Sequence, residues 1–339
     1  MSTMTDILAA DIGGTNARFA RFRVDDSGVP HCVARVTLAT ASFTSFAALL
    51  AGVASADPAC DARMVQRCVF AIAGPVQGGV YCQPPNIAWH VNLADVTDWL
   101  PRGGALLIND FVAQGWACFA GAAQDLLWLQ QAGEGTATHQ DTHSAAEQLP
   151  TARASASMAV LGAGTGCGFC VVLPGGAGRA PCVLPSEGGH ASFAFEGRPE
   201  ADFAAFVRDR TGGRRVVFDT VLSGGGISLL HAFHYDETLS PREAAARFAP
   251  ESPVVTWFAR FYGRSCRDWA LRTMALGGVR IAGGVAAANP LLVQHPAFME
   301  AFGDCATHEH LLHHMGVALV RNTDAGLVGA AMCGFLQAR

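Results

Sequence analysis

The 339-residue chain contains no lysine: all 23 of its basic residues are arginine. That absence excludes a Walker-type P-loop, whose lysine rides on the nucleotide phosphates, and Schiff-base chemistry, which needs an amine side chain. Charge is sparse altogether, 15% of residues, and 28 acids against 23 bases leave a net charge of −5. Mild acidity is the wrong electrostatic footprint for a nucleic-acid binder or for adhesion to anionic lipid. The one basic cluster, Arg208, Arg210, Arg214 and Arg215, is short and reads as solvated surface. Neither long uncharged stretch reads as a membrane span. Val36–Ala56 is studded with Ser and Thr, and Met158–Gly178 is interrupted by glycines and Pro174. Met1–Asp6 carries no basic region ahead of its apolar run, so no signal peptide is expected. Eleven scattered cysteines, an odd number, fit reduced thiols better than a disulfide framework, and the cytoplasm is the expected compartment.

What is present is apolar. Half the residues are hydrophobic, enough for a packed core, and the length predicts about two domains. Ile7–Ile12 reads as a buried strand, and Ala20, Phe22 and Val24 alternate with Arg21 and Arg23 as a half-buried one, so the chain opens with a hairpin. Further strands are predicted at Cys68–Ala73, Ala105–Ile108, Met158–Gly162, Phe169–Leu173 and Val279–Ala282. A helix over Thr256–Met274 places Trp257, Phe258, Phe261, Tyr262, Cys266, Trp269 and Ala270 on one apolar face. Gln130–Ser157, poor in large apolar residues, reads as a long loop. No internal repeat is visible by spacing. Strands interleaved with helices give an α/β protein.

Three glycine-rich turns, each beside an apolar strand, form the strongest constellation. They are Asp11-Ile12-Gly13-Gly14-Thr15-Asn16, Gly162 to Gly168, and Gly277-Gly278 through Gly283-Gly284. Glycine lets successive backbone N–H groups approach a phosphate without a Cβ in the way. Threonine hydroxyls add donors, and Asp11 is placed to hold the hydration shell of Mg²⁺. Ordinary hairpin turns are the other reading. The middle turn does not spell G-x-G-x-x-G, which weakens a dinucleotide reading.

Asn109 and Asp110 end the Ala105–Ile108 strand, where α/β proteins place ligands. Asp110 there can take a proton from a substrate hydroxyl, or it can cap the helix that starts at Phe111. In Leu184-Pro185-Ser186-Glu187-Gly188-Gly189-His190, Glu187 and His190 are spaced to face one polyhydroxylated ligand, unless the segment is only a surface turn. Two weaker signals compete. Cys167 and Cys170 match C-x-x-C, yet residues three apart on a strand face opposite ways, so metal or redox chemistry is not expected. His308, His310, His313 and His314 around Glu309 read as a solvated helix face.

In their order along the chain these motifs resemble the bacterial ATP-dependent glucokinases. The resemblance is carried by Asp11–Arg18, Ile108–Phe111, Gly162–Gly166, Glu187–His190, Leu222–Gly226, Ile281–Gly284 and Asp324–Ala331, and runs essentially end to end. It implies a two-domain actin-like ATPase (ribonuclease H-like) α/β fold with an interdomain cleft: a small domain of 1–109 plus about 328–339, and a large one of 110–327. It implies phosphorylation of glucose at the 6-hydroxyl, with ATP and Mg²⁺ as co-substrates and a homodimer as the assembly. Asp110 would be the general base. Asn109, Glu187, His190, Asp219 and, with Trp89, Asn86 would serve the sugar. Ala10, Asp11, Ile12, Gly13, Gly14 and Thr15 would lie at the ATP phosphates together with Gly164 and Thr165, and Gly283 and Gly284 near the adenosine. No protein metal site is implied, since Ala191–Gly197 lacks the zinc-binding cysteines of the related repressor and kinase family. The chain departs from the family in having Asp219 where Glu is usual and Gly225 where Pro is usual. A kinase for fructose, mannose or an N-acetylhexosamine, and a sugar- or nucleotide-sensing protein without turnover, are the competing functions.

Overall fold

A computed structural model describes residues 4–121, 125–133, 156–176 and 181–337. The chain divides into unit 1, Met1–Gln124 with Asp324–Arg339, and unit 2, Asp125–Thr323.

In unit 1, β1 (Thr5–Ile12), β2 (Asn16–Val24) and β3 (Pro30–Ala39) form an antiparallel meander, and β4 (Arg67–Ile72) and β7 (Ala105–Asn109) run parallel to β1. The order is β3-β2-β1-β4-β7; β5 (Tyr81–Cys82) and β6 (Val91–Asn92) make a separate ribbon. Ile7–Ala10 are wholly buried, as an uninterrupted apolar run in a central strand requires. Phe19, Phe46 and Phe70 pack edge to face over this sheet, the last two with centroids 5.2 Å apart. On the hairpin's polar face, Arg21 pairs with Asp6 at 3.0 Å. Burial acts to raise the Asp6 pKa, but Arg21 and Arg23 outweigh it and hold the carboxyl below its usual range. Helix α1 (Phe46–Ala56) is capped by Ser45, whose hydroxyl accepts from Ala48 N at 3.1 Å. Helix α2 (Asp110–Ala120) packs on α7 (Ala325–Leu336) so closely that a Cβ on Gly329 would stand 1.8 Å from the Ala113 carbonyl oxygen. That contact keeps α2 in unit 1. The compact units divide after 124 and again at 324; the motifs implied divisions after 109 and at about 328.

The β2–β3 loop is tied by Asp25. Its carboxylate accepts from the Ser27 hydroxyl and from Ser27 N and Val29 N, and these bonds, with His31, bring its pKa down to about 2. A carboxyl depressed on folding stabilises above its unfolded pKa and loses that contribution as pH falls through the folded value. Urea midpoints taken from pH 5 to pH 2 are expected to decline less steeply for Asp25→Asn than for the parent protein; parallel curves would contradict the assignment.

Unit 2 repeats the plan. Strands β9 (Met158–Ala163), β10 (Cys167–Leu173) and β11 (Cys182–Ser186) are antiparallel; β12 (Val279–Ala282) and β13 (Val317–Val320) run parallel to β9. β8 (Leu126–Gln130) adds antiparallel to β13, giving β11-β10-β9-β12-β13-β8. Five strands in each unit thus share one order and one set of directions. A sequence echo accompanies it: Ile72-Ala73-Gly74 spans the end of β4 and Ile281-Ala282-Gly283 the end of β12, with Gly74 at φ 128° and Gly283 at φ 92°. Spacing alone did not reveal this repeat. The longer helices are α3 (Gly197–Arg210), α4 (Gly224–Tyr235), α5 (Pro253–Thr273) and α6 (Pro296–Gly303). Helix α5 starts three residues before the expected Thr256, with Pro253 in its first turn and the expected apolar face in the core. Gln130, expected to begin a loop, ends β8; 134–155 of that segment lie outside the described residues.

Candidate active site

Within unit 1, three parallel strands bring the predicted groups to one edge. Ile12 of β1 is level with Ile72 of β4, and Ile72 with Asn109 of β7. At about 4.8 Å per strand, the Gly13–Thr15 turn and Asn109 stand roughly 10 Å apart at the carboxyl ends. Gly13 N donates to Asn16 O at 2.9 Å to close the turn. Thr40, itself buried, braces it by donating from Oγ1 to Gly13 O at 2.7 Å and from N to Thr15 O at 3.0 Å. Gly14 has to be small: a Cβ there would be 3.0 Å from both Cβ and O of Asn86. Asn86 thus sits against the glycine turn, while Trp89 is buried and donates to Phe43 O at 2.9 Å. Ala10 and Ile12 are fully buried, so their side chains belong to the core, leaving only their backbones near the site.

Asp11 lies directly across the hairpin from Arg18, which donates to its carboxylate. Asp324 draws in Arg35 at 2.7 Å and Arg18 at 3.9 Å. A Cβ on Gly326 would be 3.3 Å from Asp11 Oδ2, so that glycine lets the first turn of α7 approach the carboxylate. One carboxylate beside donors for phosphate is the donor set that suits Mg²⁺, which keeps most of its waters and takes one or two protein carboxylates. Among the described residues no three His, Cys, Asp or Glu form a metal cluster.

The alternative reading of Asp110 as the helix cap is corrected by the structure. Asn109 is the cap: its Oδ1 accepts from Phe111 N at 2.9 Å and Val112 N at 3.3 Å, and its Nδ2 donates to Gly74 O at 3.2 Å. Asp110 is the first helical residue, half-buried, with Oδ1 accepting from Phe111 N at 3.0 Å. Capping by its neighbour fixes the strand tip from which the acid projects.

Unit 2 gathers its own set. Gly164 N donates to Gly166 O at 2.7 Å, closing a turn topologically equivalent to Gly13–Asn16 and leaving Thr165 exposed. Ala163 N at its base donates to the buried hydroxyl of Tyr262 at 3.0 Å; burial pushes that phenol's pKa well above its usual value. Gly283 rests on this strand end, since its Cβ would be 2.6 Å from Ala163 O, and Gly284 opens a short helix to Ala288. Gly224 N, at the start of α4, donates to Gly164 O at 3.0 Å. On the other side, the 3₁₀ turn Gly188–His190 packs against Cys167: a Cβ on Gly189 would be 2.0 Å from Cys167 O. Glu187 and His190 are exposed, with Oε2 and Nε2 3.7 Å apart. Asp219 reaches the turn rather than open solvent, its Oδ1 accepting from Cys167 N at 2.6 Å. Burial and the nearby Asp219 push the Cys167 thiol far above its usual pKa, so C-x-x-C supplies no thiolate here. Glu309 and His313, 3.3 Å apart, are exposed surface. A hollow of about 800 Å³ on unit 2 lies along α5 beside Arg264; Glu309 and His313 are among its lining, and Glu187, His190, Asp219 and the glycine turns are not.

Thr40, Arg18, Gly326 and Tyr262 had no assigned role from sequence. Arg18 was the most accessible of them, because a tight hairpin puts it opposite Asp11.

Two units of this topology, with glycine turns on equivalent hairpins, define the actin-like ATPase fold of sugar kinases expected from the motifs. The family described as Glucokinase matches residues 8–336, and the chain belongs to that family. It is 30% identical to a glucokinase from Synechocystis sp., over 97% of each chain. The solved glucokinase from an Antarctic psychrotroph is 26% identical with a TM-score of 0.75, covering 99% of this chain and 100% of that one. A ROK family glucokinase from Streptomyces griseus, solved in complex with glucose and AMPPNP, shares the fold at 18% identity and a TM-score of 0.61, over 97% and 98%.

Proposed function

We propose that the protein transfers the γ-phosphoryl group of ATP to the 6-hydroxyl of glucose, with Asp110 as general base. One observation carries the reading: an acid fixed at a strand tip, on the same edge of unit 1 as a glycine turn fit for phosphate. Glu187 and His190 hold sugar hydroxyls, and Asn109 contributes whatever its capping bonds leave over. Asp110 accepts the 6-hydroxyl proton as the oxygen bonds to phosphorus, and ADP leaves. The roles proposed for backbone N–H groups of Gly13–Thr15, and for those of Gly164 and Thr165, are to bind phosphate, and for Gly283 and Gly284 to bind the adenosine. With lysine absent, protein cations at the phosphates come from arginine, and Arg18 is the one beside Asp11. Asp11 would hold the Mg²⁺ that accompanies ATP, through water; when bound, the ion neutralises phosphate charge.

Support for glucose comes from family membership and from the ligands of the Streptomyces griseus relative. Asp219 in place of the usual Glu favours testing other hexoses. A coupled ADP-release assay over glucose, fructose, mannose and N-acetylglucosamine is expected to give the highest kcat/KM on glucose; a higher value for another sugar would reassign the substrate. The assembly is proposed to be a homodimer, readable by light scattering. The compartment is proposed to be the cytoplasm, where thiols such as these eleven scattered cysteines stay reduced. Among the described residues no helix is long and apolar enough to cross a membrane.

A further inference from the structure

We propose that Asp219 is a positioning residue for the phosphate-binding turn of unit 2, acting through the backbone of Gly166 and Cys167 rather than by holding sugar. The inference rests on the reading of that turn as the ATP-phosphate turn.

Three observations carry it. The Asp219 carboxylate accepts from Cys167 N at 2.6 Å, a short charge-assisted bond to the residue that follows the turn. The turn closes over that carboxylate: a Cβ on Gly166 would lie 2.2 Å from Oδ1 and 3.1 Å from Oδ2, so a larger residue there would push the carboxylate off its bond to Cys167 N. The backbone beneath Asp219 is pinned on both sides. Phe218 N donates to Ala191 O at 3.1 Å, Leu222 N donates to Phe218 O at 2.7 Å, and Val217 bridges to Ser192. A side chain of another length cannot be absorbed by a backbone shift here. Aspartate is the length that reaches Cys167 N without entering the turn.

The same carboxylate lies between two functional turns. Gly189, from the Glu187–His190 segment, packs on Cys167 O, and its Cβ position is 3.7 Å from Asp219 Oδ1. Asp219 is thus a near neighbour of both turns, but its hydrogen bond is to the phosphate-binding one.

The test compares Asp219→Ala, Asp219→Asn and Asp219→Glu by calorimetric titration with AMPPNP and, separately, with glucose, folding being checked by circular dichroism. Asp219→Ala is expected to weaken AMPPNP binding about tenfold, the loss of one charge-assisted bond, while the glucose Kd moves less than threefold. Asn keeps an acceptor of the same length and is expected to recover most of the AMPPNP affinity. Glu keeps the charge, overshoots the turn and is expected to lose affinity as Ala does. A tenfold loss of glucose affinity with AMPPNP binding intact, or tighter glucose binding by Asp219→Glu without a nucleotide defect, would overturn the proposal and make Asp219 a sugar ligand. Should one variant not fold, the other two still decide. Failure of the parent protein to turn over glucose would count against the proposed function alone, because both titrations are independent of turnover.

Discussion

Asp110→Asn is expected to lower kcat by about two to four orders of magnitude while the protein folds normally. The side chain is half-buried at the first position of α2, and its contact with Phe111 N can be kept by the amide oxygen of Asn. Asn109 does the capping, so the helix start does not depend on residue 110. What the substitution removes is the ability to accept a proton at the strand tip. The glucose KM is expected to change little, since Asn still offers a hydrogen bond to a hydroxyl. Steady-state kinetics with an unfolding curve on the same preparation checks both halves. Unchanged kcat would take Asp110 out of the reaction, and a large drop in stability would make the residue structural.

Arg264→Met is expected to have the largest effect on stability. Arg264 of α5 grips Glu200 of α3 with both ends of its fork, at 2.7 Å and 3.0 Å, and also reaches Glu196 and the Ala194 carbonyl. Both side chains of the central pair are only 4% exposed. Removing the guanidinium leaves a buried carboxylate without its close partner, a loss of about 3–5 kcal/mol. Arg260 stands 3.8 Å from Glu200 but is 41% exposed, too well solvated to take over. Replacing both partners with apolar residues, Arg264→Met with Glu200→Leu, is expected to restore most of the stability, because no charge is then stranded. Denaturant unfolding of the three proteins tests this. A single variant within about 1 kcal/mol of the parent would show that the pair is already compensated by its neighbours.

The sequence was most legible where one physical cause dominates. Ile7–Ala10, Cys68–Ile72 and Met158–Ala163 are apolar runs in sheet interiors, and hydrophobicity alone placed them. β3 was not found because it is an edge strand with mostly exposed residues, and β13 because four apolar residues are too short to separate from a helix segment. The packing of α2 on α7 was not legible because it depends on Gly329 and Ala113, residues far apart in the chain. At the site, glycines and acids announced themselves, but their division of labour did not. Whether Asn109 or Asp110 caps α2, and whether Asp219 faces a sugar or a turn, is decided by ångström-scale geometry that spacing cannot carry. Thr40 is in the same position. It braces the first glycine turn from an uncharged stretch, and nothing local to it points there.

The most direct test of the account is the identity of the phosphorylated product. Purified protein is incubated with glucose, ATP and Mg²⁺, and the product is read by phosphorus and carbon NMR. The account predicts one phosphomonoester, on the 6-oxygen of glucose, formed in step with ADP. ADP released without a phosphorylated sugar, or phosphate carried on a different hydroxyl, would contradict the placement of Asp110 against the 6-hydroxyl.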